Sequence, residues 1–220
     1  MIQIRHVPED VHRKLTERAK REGISLSDYL RRELLLLSHQ LTWEELFAEM
    51  DRENRSFDGV EGIDSAELIR QGRGARPRAD EADPGRRRGA LIILDASVVV
   101  DLLIKPTAEN AQIKARLAGE RMGHVPHLLD VEVTHALRRL LLAGRLTDLS
   151  ARRALRDLAV MGLKRWPHRA LLGRALALRD QLSAYDAIYV AMAEATGATL
   201  LTRDARLAGA TGHRARVEVV

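Results

Sequence analysis

The chain has 220 residues, 45% of them hydrophobic and 30% charged, with a formal net charge of +5. That balance is ordinary for a folded protein of one or two domains, and the lack of Cys excludes disulfides and Cys-based zinc sites and fits a reducing cytoplasm. No apolar run approaches the roughly 18 residues a membrane span needs, and no secretory signal precedes the first charges, so a cytoplasmic protein without membrane contact is expected. The charge is unevenly spread: residues 41–69 carry nine Asp/Glu against two Lys/Arg, between a mildly basic head and a basic C-terminal region.

Residues 1–40 read as strand, helix, helix. Ile2 and Ile4 alternate with Gln3 and Arg5, the period of a short strand. Pro8, Glu9 and Asp10 suit a first helical turn, Val11, Leu15 and Ala19 recur on one face, and Gly23 stops the helix. Ser25 with Asp28 is a capping-box-like start for a second helix, whose buried stripe would be Leu26, Tyr29, Leu30, Leu34 and Leu37. About 40 residues cannot bury an adequate core alone, so a partner chain is expected. The run IRHVPEDVHRKLTERAKREGISLSDYLRREL resembles the ribbon-helix-helix family of DNA-binding antitoxins, VapB- or FitA-like. The resemblance implies a homodimer, or a higher oligomer, whose paired strands enter the major groove of operator DNA. By that resemblance Gln3 and Arg5 read bases, and Ser25 and Ser27 at the second helix start hold a phosphate. A dimerisation module with no DNA role is the plainer alternative.

Residues 42–52 (TWEELFAEMDR) predict an acidic amphipathic helix with Trp43, Leu46, Phe47 and Met50 on one face. That face either docks in a groove or packs back on the head. Residues 64–70 predict a short helix, and the rest of 53–90, rich in Gly and charge, reads as a linker.

From Leu91 onward strands and helices alternate. Strands are expected at 91–94, 123–125, 163–166, 199–201 and 217–220. Helices are expected at 97–105, 110–121, 127–143, 148–160, 169–182 and 184–196. The pattern is α/β: a three-layer α/β/α domain around a mainly parallel sheet. Asp95 and Asp204 each follow a predicted strand, where such sheets gather their sites.

Four acids stand out: Asp95 in LIILDAS, Glu132 in PHLLDVEVTHAL, Asp186 in LSAYDAIYVAMAE and Asp204 in ATLLTRD. Gathered by the fold, they would bind Mg²⁺ or Mn²⁺, because hard cations prefer oxygen ligands. Singly each has a bland alternative: a helix cap for Asp95, a turn for Asp204. Glu132 and Asp186 lie in apolar stretches, where an unpaired buried acid is costly. Asp101 and Asp130 read as surface or supporting residues. Arg138, Arg139, Arg145, Arg152 and Arg153 face either RNA phosphates or solvent. The motifs LDASVVVDLL, VPHLLDVEVTHALRR and LSAYDAIYVAMAEATGATLLTRD resemble the PIN-domain nucleases, in particular VapC-type toxins, over nearly all of 91–220. The resemblance implies a metal-dependent endoribonuclease acting on RNA (tRNA or rRNA). Asp95, Glu132, Asp186 and Asp204 would be its catalytic and metal-binding residues, with Ser97 and Thr202 in support.

The chain thus divides into a ribbon-helix-helix domain at 1–40, a toxin-wrapping antitoxin segment and linker at 41–90, and a PIN domain at 91–220. Antitoxin and toxin are usually separate chains, so their fusion departs from the family pattern. The family precedent implies that residues 41–80 block the acids, with Trp43 and Phe47 docking on the toxin. An Arg would compete with the metal through charge-assisted hydrogen bonds. Arg70, Arg73 and Arg76 are the candidates, with a slight preference for Arg70. The alternative is a DNA-binding repressor with a silent or permanently inhibited PIN domain.

Overall fold

The computed structural model describes residues 6–52, 60–73, 91–106 and 108–220. It divides into two compact units, Met1–Leu41 and Thr42–Val220. The strand expected at residues 2–5, with Gln3 and Arg5, lies outside the described residues, as does Arg76.

In the first unit, α1 (Glu9–Arg21) packs on α2 (Leu26–Ser38). Glu9 and Asp10 begin α1 and Arg18, Lys20 and Arg21 end it, both favourable to the helix dipole. Gly23 takes φ +71° at its end, and the Ile24 N–H returns to the Ala19 carbonyl at 3.1 Å. Ser25 caps α2 by accepting the Asp28 N–H at 3.0 Å and donating to Asp28 Oδ2 at 2.6 Å. The expected buried stripe is only partly formed. Tyr29 is buried and Leu26 and Leu30 half-buried, but Leu34 to Leu37 are exposed. One neighbouring helix within a single chain is too little to cover them.

The second unit is built on five strands: β1 (Ile92–Leu94), β2 (Gly123–Pro126), β3 (Leu163–Trp166), β4 (Thr199–Thr202) and β5 (Arg216–Val219). Their order is β3-β2-β1-β4-β5, and all four pairings are parallel. The chain steps outward from β1 to β3, then crosses back to β4 and β5. Right-handed crossovers in opposite directions place their helices on opposite faces. One layer therefore holds α5 (Ala96–Ile104), α6 (Ala111–Leu117), α7 (Leu128–Leu142) and α8 (Asp148–Val160). The other holds a 3₁₀ turn (Arg169–Leu171), α9 (Leu172–Ala177), α10 (Ala184–Thr196) and the short α11 (Ala205–Ala208). The helix expected over 169–182 is shorter: the 3₁₀ turn runs directly into α9, which ends at Ala177, and turns follow before α10. Every residue of β1 and α5 is buried, so the switch point between β1 and β4 lies at the centre of the core.

Two helices before β1 belong to the same unit. These are α3 (Trp43–Arg52) and α4 (Ser65–Arg73), which we number by their place in the chain. Thr42 and Glu45 form a reciprocal capping box for α3: the Thr42 N–H reaches Glu45 Oε2 at 2.8 Å and the Glu45 N–H reaches Thr42 Oγ1 at 3.2 Å. Trp43, Leu46, Phe47 and Met50 are all buried, with Trp43 1% exposed. Lys114 of α6 lies 5.1 Å over the Phe47 ring and 3.1 Å from Asp51. α4 packs on α5 and α7 through Ala66 and Ile69. Gly72 allows this close approach, since a Cβ there would lie 2.9 Å from the His135 ring. Among the described residues, no helix is long and apolar enough to cross a membrane.

Candidate active site

The fold brings all four expected acids to one end of the sheet. Asp95 follows β1 and Asp204 follows β4, so they flank the switch point. Glu132 comes from α7 and Asp186 from the first turn of α10. Asp95 is 1% exposed, Glu132 6% and Asp204 8%.

Asp95 occupies the N-cap position of α5, but its side chain makes no cap hydrogen bond. Instead Oδ2 accepts from Ser97 Oγ at 2.5 Å and Thr202 Oγ1 at 2.9 Å. Those two hydroxyls turn the other oxygen, Oδ1, toward the centre. Asp204 caps α11 through the Arg206 N–H at 3.0 Å. Ser183 caps α10 and donates to Asp186 Oδ2 at 2.7 Å.

A guanidinium fills the centre, and it belongs to Arg73 at the end of α4. Its Nε donates to Glu132 Oε1 at 2.5 Å, its Nη2 to Asp95 Oδ1 at 2.9 Å, and its Nη1 to Asp186 Oδ1. The side chain is 4% exposed and lies 5.4 Å over the Tyr189 ring. Arg70, to which the sequence reading leaned, has a peripheral place. It approaches Asp204 Oδ2 at 3.3 Å, while its Nη2 pairs with Glu67 at 2.7 Å. One helical turn separates the two arginines, and packing of α4 directs the later one inward.

The ionisation of the acids follows from these contacts. Burial raises the Asp95 pKa, but the Arg73 charge and the hydroxyls of Ser97 and Thr202 outweigh it, and the net shift is downward. Burial dominates at Glu132 and raises it despite Arg73 and Tyr189. Burial also raises Asp204, against the Arg206 N–H and Arg70.

Several supporting residues escape a reading of the sequence. Tyr189 is fully buried and donates to Glu132 Oε2 at 2.6 Å. Its only sequence signal is a polar tip within an apolar helix, three residues after Asp186. Arg139 was read as facing RNA or solvent. It donates instead to the Leu68 carbonyl at 2.9 Å and to Gln71, gripping α4. Arg145 likewise donates to the Glu61 carbonyl at 2.9 Å. Asp130 pairs with Arg165 at the surface, whereas Asp101 is wholly buried. Ser25 is engaged with Asp28, and Arg31 lies 2.8 Å from that carboxylate.

The donor set is all oxygen and suits a hard divalent cation. Three of its acids already share one cationic group. Among the described residues, no group of three or more acids or histidines is arranged to hold an ion. The guanidinium occupies the space those acids would share.

Both ends of the chain match known families. A model described as the PIN domain matches residues 92–212, and one described as the FitA-like ribbon-helix-helix antitoxin matches residues 1–35. The chain is 40% identical over 129 residues to Ribonuclease VapC1 of Mycobacterium tuberculosis (strain ATCC 25618 / H37Rv), covering 58% of this chain and 96% of that protein. It is 41% identical over 117 residues to Ribonuclease VapC9 of the same strain, covering 53% and 88%. The crystal structure of VapBC2 from Rickettsia felis bound to a DNA fragment from their promoter aligns with a TM-score of 0.43 at 14% identity, over 59% of this chain and 98% of that one. The chain therefore belongs to the PIN-domain family, with a VapC-type ribonuclease domain carried behind a FitA-like ribbon-helix-helix antitoxin domain in one toxin–antitoxin fusion.

Proposed function

We propose that the chain is an Mg²⁺- or Mn²⁺-dependent endoribonuclease held inhibited by its own residues 42–73. The observation that carries this reading is the Arg73 guanidinium shared among Asp95, Glu132 and Asp186. A divalent ion bound by those acids would activate water for attack on phosphorus and stabilise the leaving oxygen. The chain's own residues do the rest. Ser97 and Thr202 orient Asp95, Tyr189 orients Glu132, and Ser183 orients Asp186. Arg73 and an ion compete for the same oxygens, so withdrawal of α4 and binding of metal are one exchange. Tethering keeps the inhibitor at an effective concentration on the order of millimolar, so it cannot be lost by dissociation.

The N-terminal unit is assigned to operator DNA binding as a dimer, with Gln3 and Arg5 as base readers and Ser27 near a phosphate. Support comes from the antitoxin family match and from the exposed Leu34–Leu37 face, which suits a second copy. Ser25 serves α2 as its cap, and Asp28 beside it weakens the case for a phosphate there.

The test is a Mn²⁺ titration of RNA cleavage by the intact chain and by Arg73→Ala. If Arg73 competes with the ion, the intact chain needs far more Mn²⁺ for half-maximal rate. Equal Mn²⁺ dependence would remove Arg73 from the inhibition. Operator binding is checked by footprinting with Arg5→Ala, which loses sequence-selective protection if Arg5 reads bases.

A further inference from the structure

Asp101 is a fully buried carboxylate for which the reading above has no use. It lies on α5, six residues beyond Asp95, near the other end of that helix. Arg203 Nε donates to Asp101 Oδ2 at 2.7 Å. Lys105 Nζ donates to the same oxygen at 3.0 Å and lies 2.9 Å from Oδ1. Asn110 Nδ2 donates to the Asp101 carbonyl at 3.0 Å. The Arg203 side chain is held a second time by the Val220 carbonyl at 2.5 Å.

Arg203 stands between Thr202 and Asp204, and its backbone touches the site directly. Its N–H donates to Ser97 Oγ at 3.1 Å, and that hydroxyl donates to Asp95 Oδ2 at 2.5 Å. Thr202 Oγ1 donates to the same Asp95 oxygen at 2.9 Å while accepting the Asp204 N–H at 2.9 Å. Residues 202–204 thus orient one acid and carry another. What fixes that turn from behind is the Arg203 side chain, anchored on Asp101 and on the Val220 carbonyl just past the last strand.

An ion pair whose carboxylate is wholly buried and whose guanidinium is half-buried is a poor device for stability alone, because apolar residues of similar volume often serve as well or better at buried pairs. A pair that sets the geometry of other groups has a different use. We propose that Asp101 and Arg203 are positioning residues, an ion-pair clamp that fixes the turn after β4 so that Asp95 and Asp204 present their oxygens to a divalent cation. The proposal rests on the metal-dependent ribonuclease reading. Neither residue would itself be a ligand of the ion.

The experiment uses the full chain with Arg73→Ala, so that the site is open. Onto this parent are placed Asp101→Asn, Arg203→Met, both together, Arg203→Lys, and the apolar pair Asp101→Leu/Arg203→Leu. Mn²⁺ affinity is read directly by electron paramagnetic resonance, and kcat and KM by RNA cleavage. Outer partners of metal ligands typically matter by about 10- to 100-fold in affinity or activity. Each single variant should lose about that in Mn²⁺ affinity and kcat, with KM for RNA unchanged. The double variant should lose no more than either single one, since both break the same clamp. Arg203→Lys should recover part of the loss. Where the single variants fold poorly, the apolar pair supplies the folded case, and it should still bind Mn²⁺ weakly.

Folded variants that match the parent in Mn²⁺ affinity and kcat overturn the clamp. So do losses that multiply in the double variant, which would mean independent roles. A parent that neither binds Mn²⁺ nor cleaves RNA sinks the ribonuclease reading itself and the clamp with it, a result distinct from variants failing beside an active parent.

Discussion

Arg73 places one positive charge among the buried Asp95 and Glu132 and the half-buried Asp186, and its removal should be felt first as a charge imbalance. Without it, Asp95 and Glu132 lose the charge that offsets their burial, and burial should then hold both carboxyls above their unfolded range. A carboxylate raised on folding makes the native state bind more protons, so stability falls as pH climbs from the unfolded pKa to the raised folded one. Metal-free Arg73→Ala should therefore melt well below the parent at pH 7 and approach it near pH 5. Millimolar Mn²⁺ should restore the pH 7 melting temperature. Calorimetry across pH, with and without Mn²⁺, checks this, and a pH-independent deficit would argue against carboxylate repulsion. Tyr189→Phe removes a single hydrogen bond to Glu132. Bonds to charged groups contribute about 1.5–3 kcal/mol. The variant should be destabilised within that range by urea titration and, in an Arg73→Ala background, bind Mn²⁺ more weakly.

At the scale of elements, α3 and α4 decide whether Arg73 reaches the site. Trp43 is 1% exposed, and Trp→Ala in a core costs about 3–5 kcal/mol. Trp43→Ala should loosen α3 and raise RNA cleavage by the intact chain. Protection of α4 amides in hydrogen exchange should fall in parallel. Arg139→Ala should have the same sign and a smaller size, because it frees only the Leu68 carbonyl and Gln71. Unchanged exchange in both variants would mean that α4 is held by its apolar face and Arg73 alone.

These elements also mark how far the sequence could be read. The apolar runs ending at Asp95 and Asp204 announce parallel strands feeding one site, because β1 and β4 are buried on both faces and carry no alternation. The Trp43 face is visible as helical spacing. The choice between Arg70 and Arg73 is not, since both lie on one helix and only its packing against α5 and α7 turns Arg73 inward. The partners of Tyr189, Arg139 and Arg203 are hidden for the same reason: each contact spans dozens of residues, and local spacing does not report it. Leu34 and Leu37 stand exposed in the single chain, because periodicity shows which side of a helix is apolar, not what covers it.

For the whole molecule, the face proposed for assembly and the contacts proposed for inhibition lie in different units. The Leu34–Leu37 face belongs to the first unit, while the contacts of Arg73 with the acids lie wholly in the second. Leu34→Lys with Leu37→Lys should give a monomer by light scattering and leave RNA cleavage as low as before. A rise in cleavage would tie inhibition to assembly. The central claim is most directly tested by Mn²⁺-dependent cleavage of a tRNA and rRNA pool by three full chains: the parent, Arg73→Ala, and Arg73→Ala with Asp95→Asn. Removing the guanidinium leaves the acids to the ion alone, so opening the site should speed cleavage by about tenfold or more, equivalent to about 1.4 kcal/mol or more. The added Asp95→Asn should abolish that gain. A parent that cleaves as fast as Arg73→Ala, or cleavage that survives Asp95→Asn, would contradict an autoinhibited carboxylate nuclease.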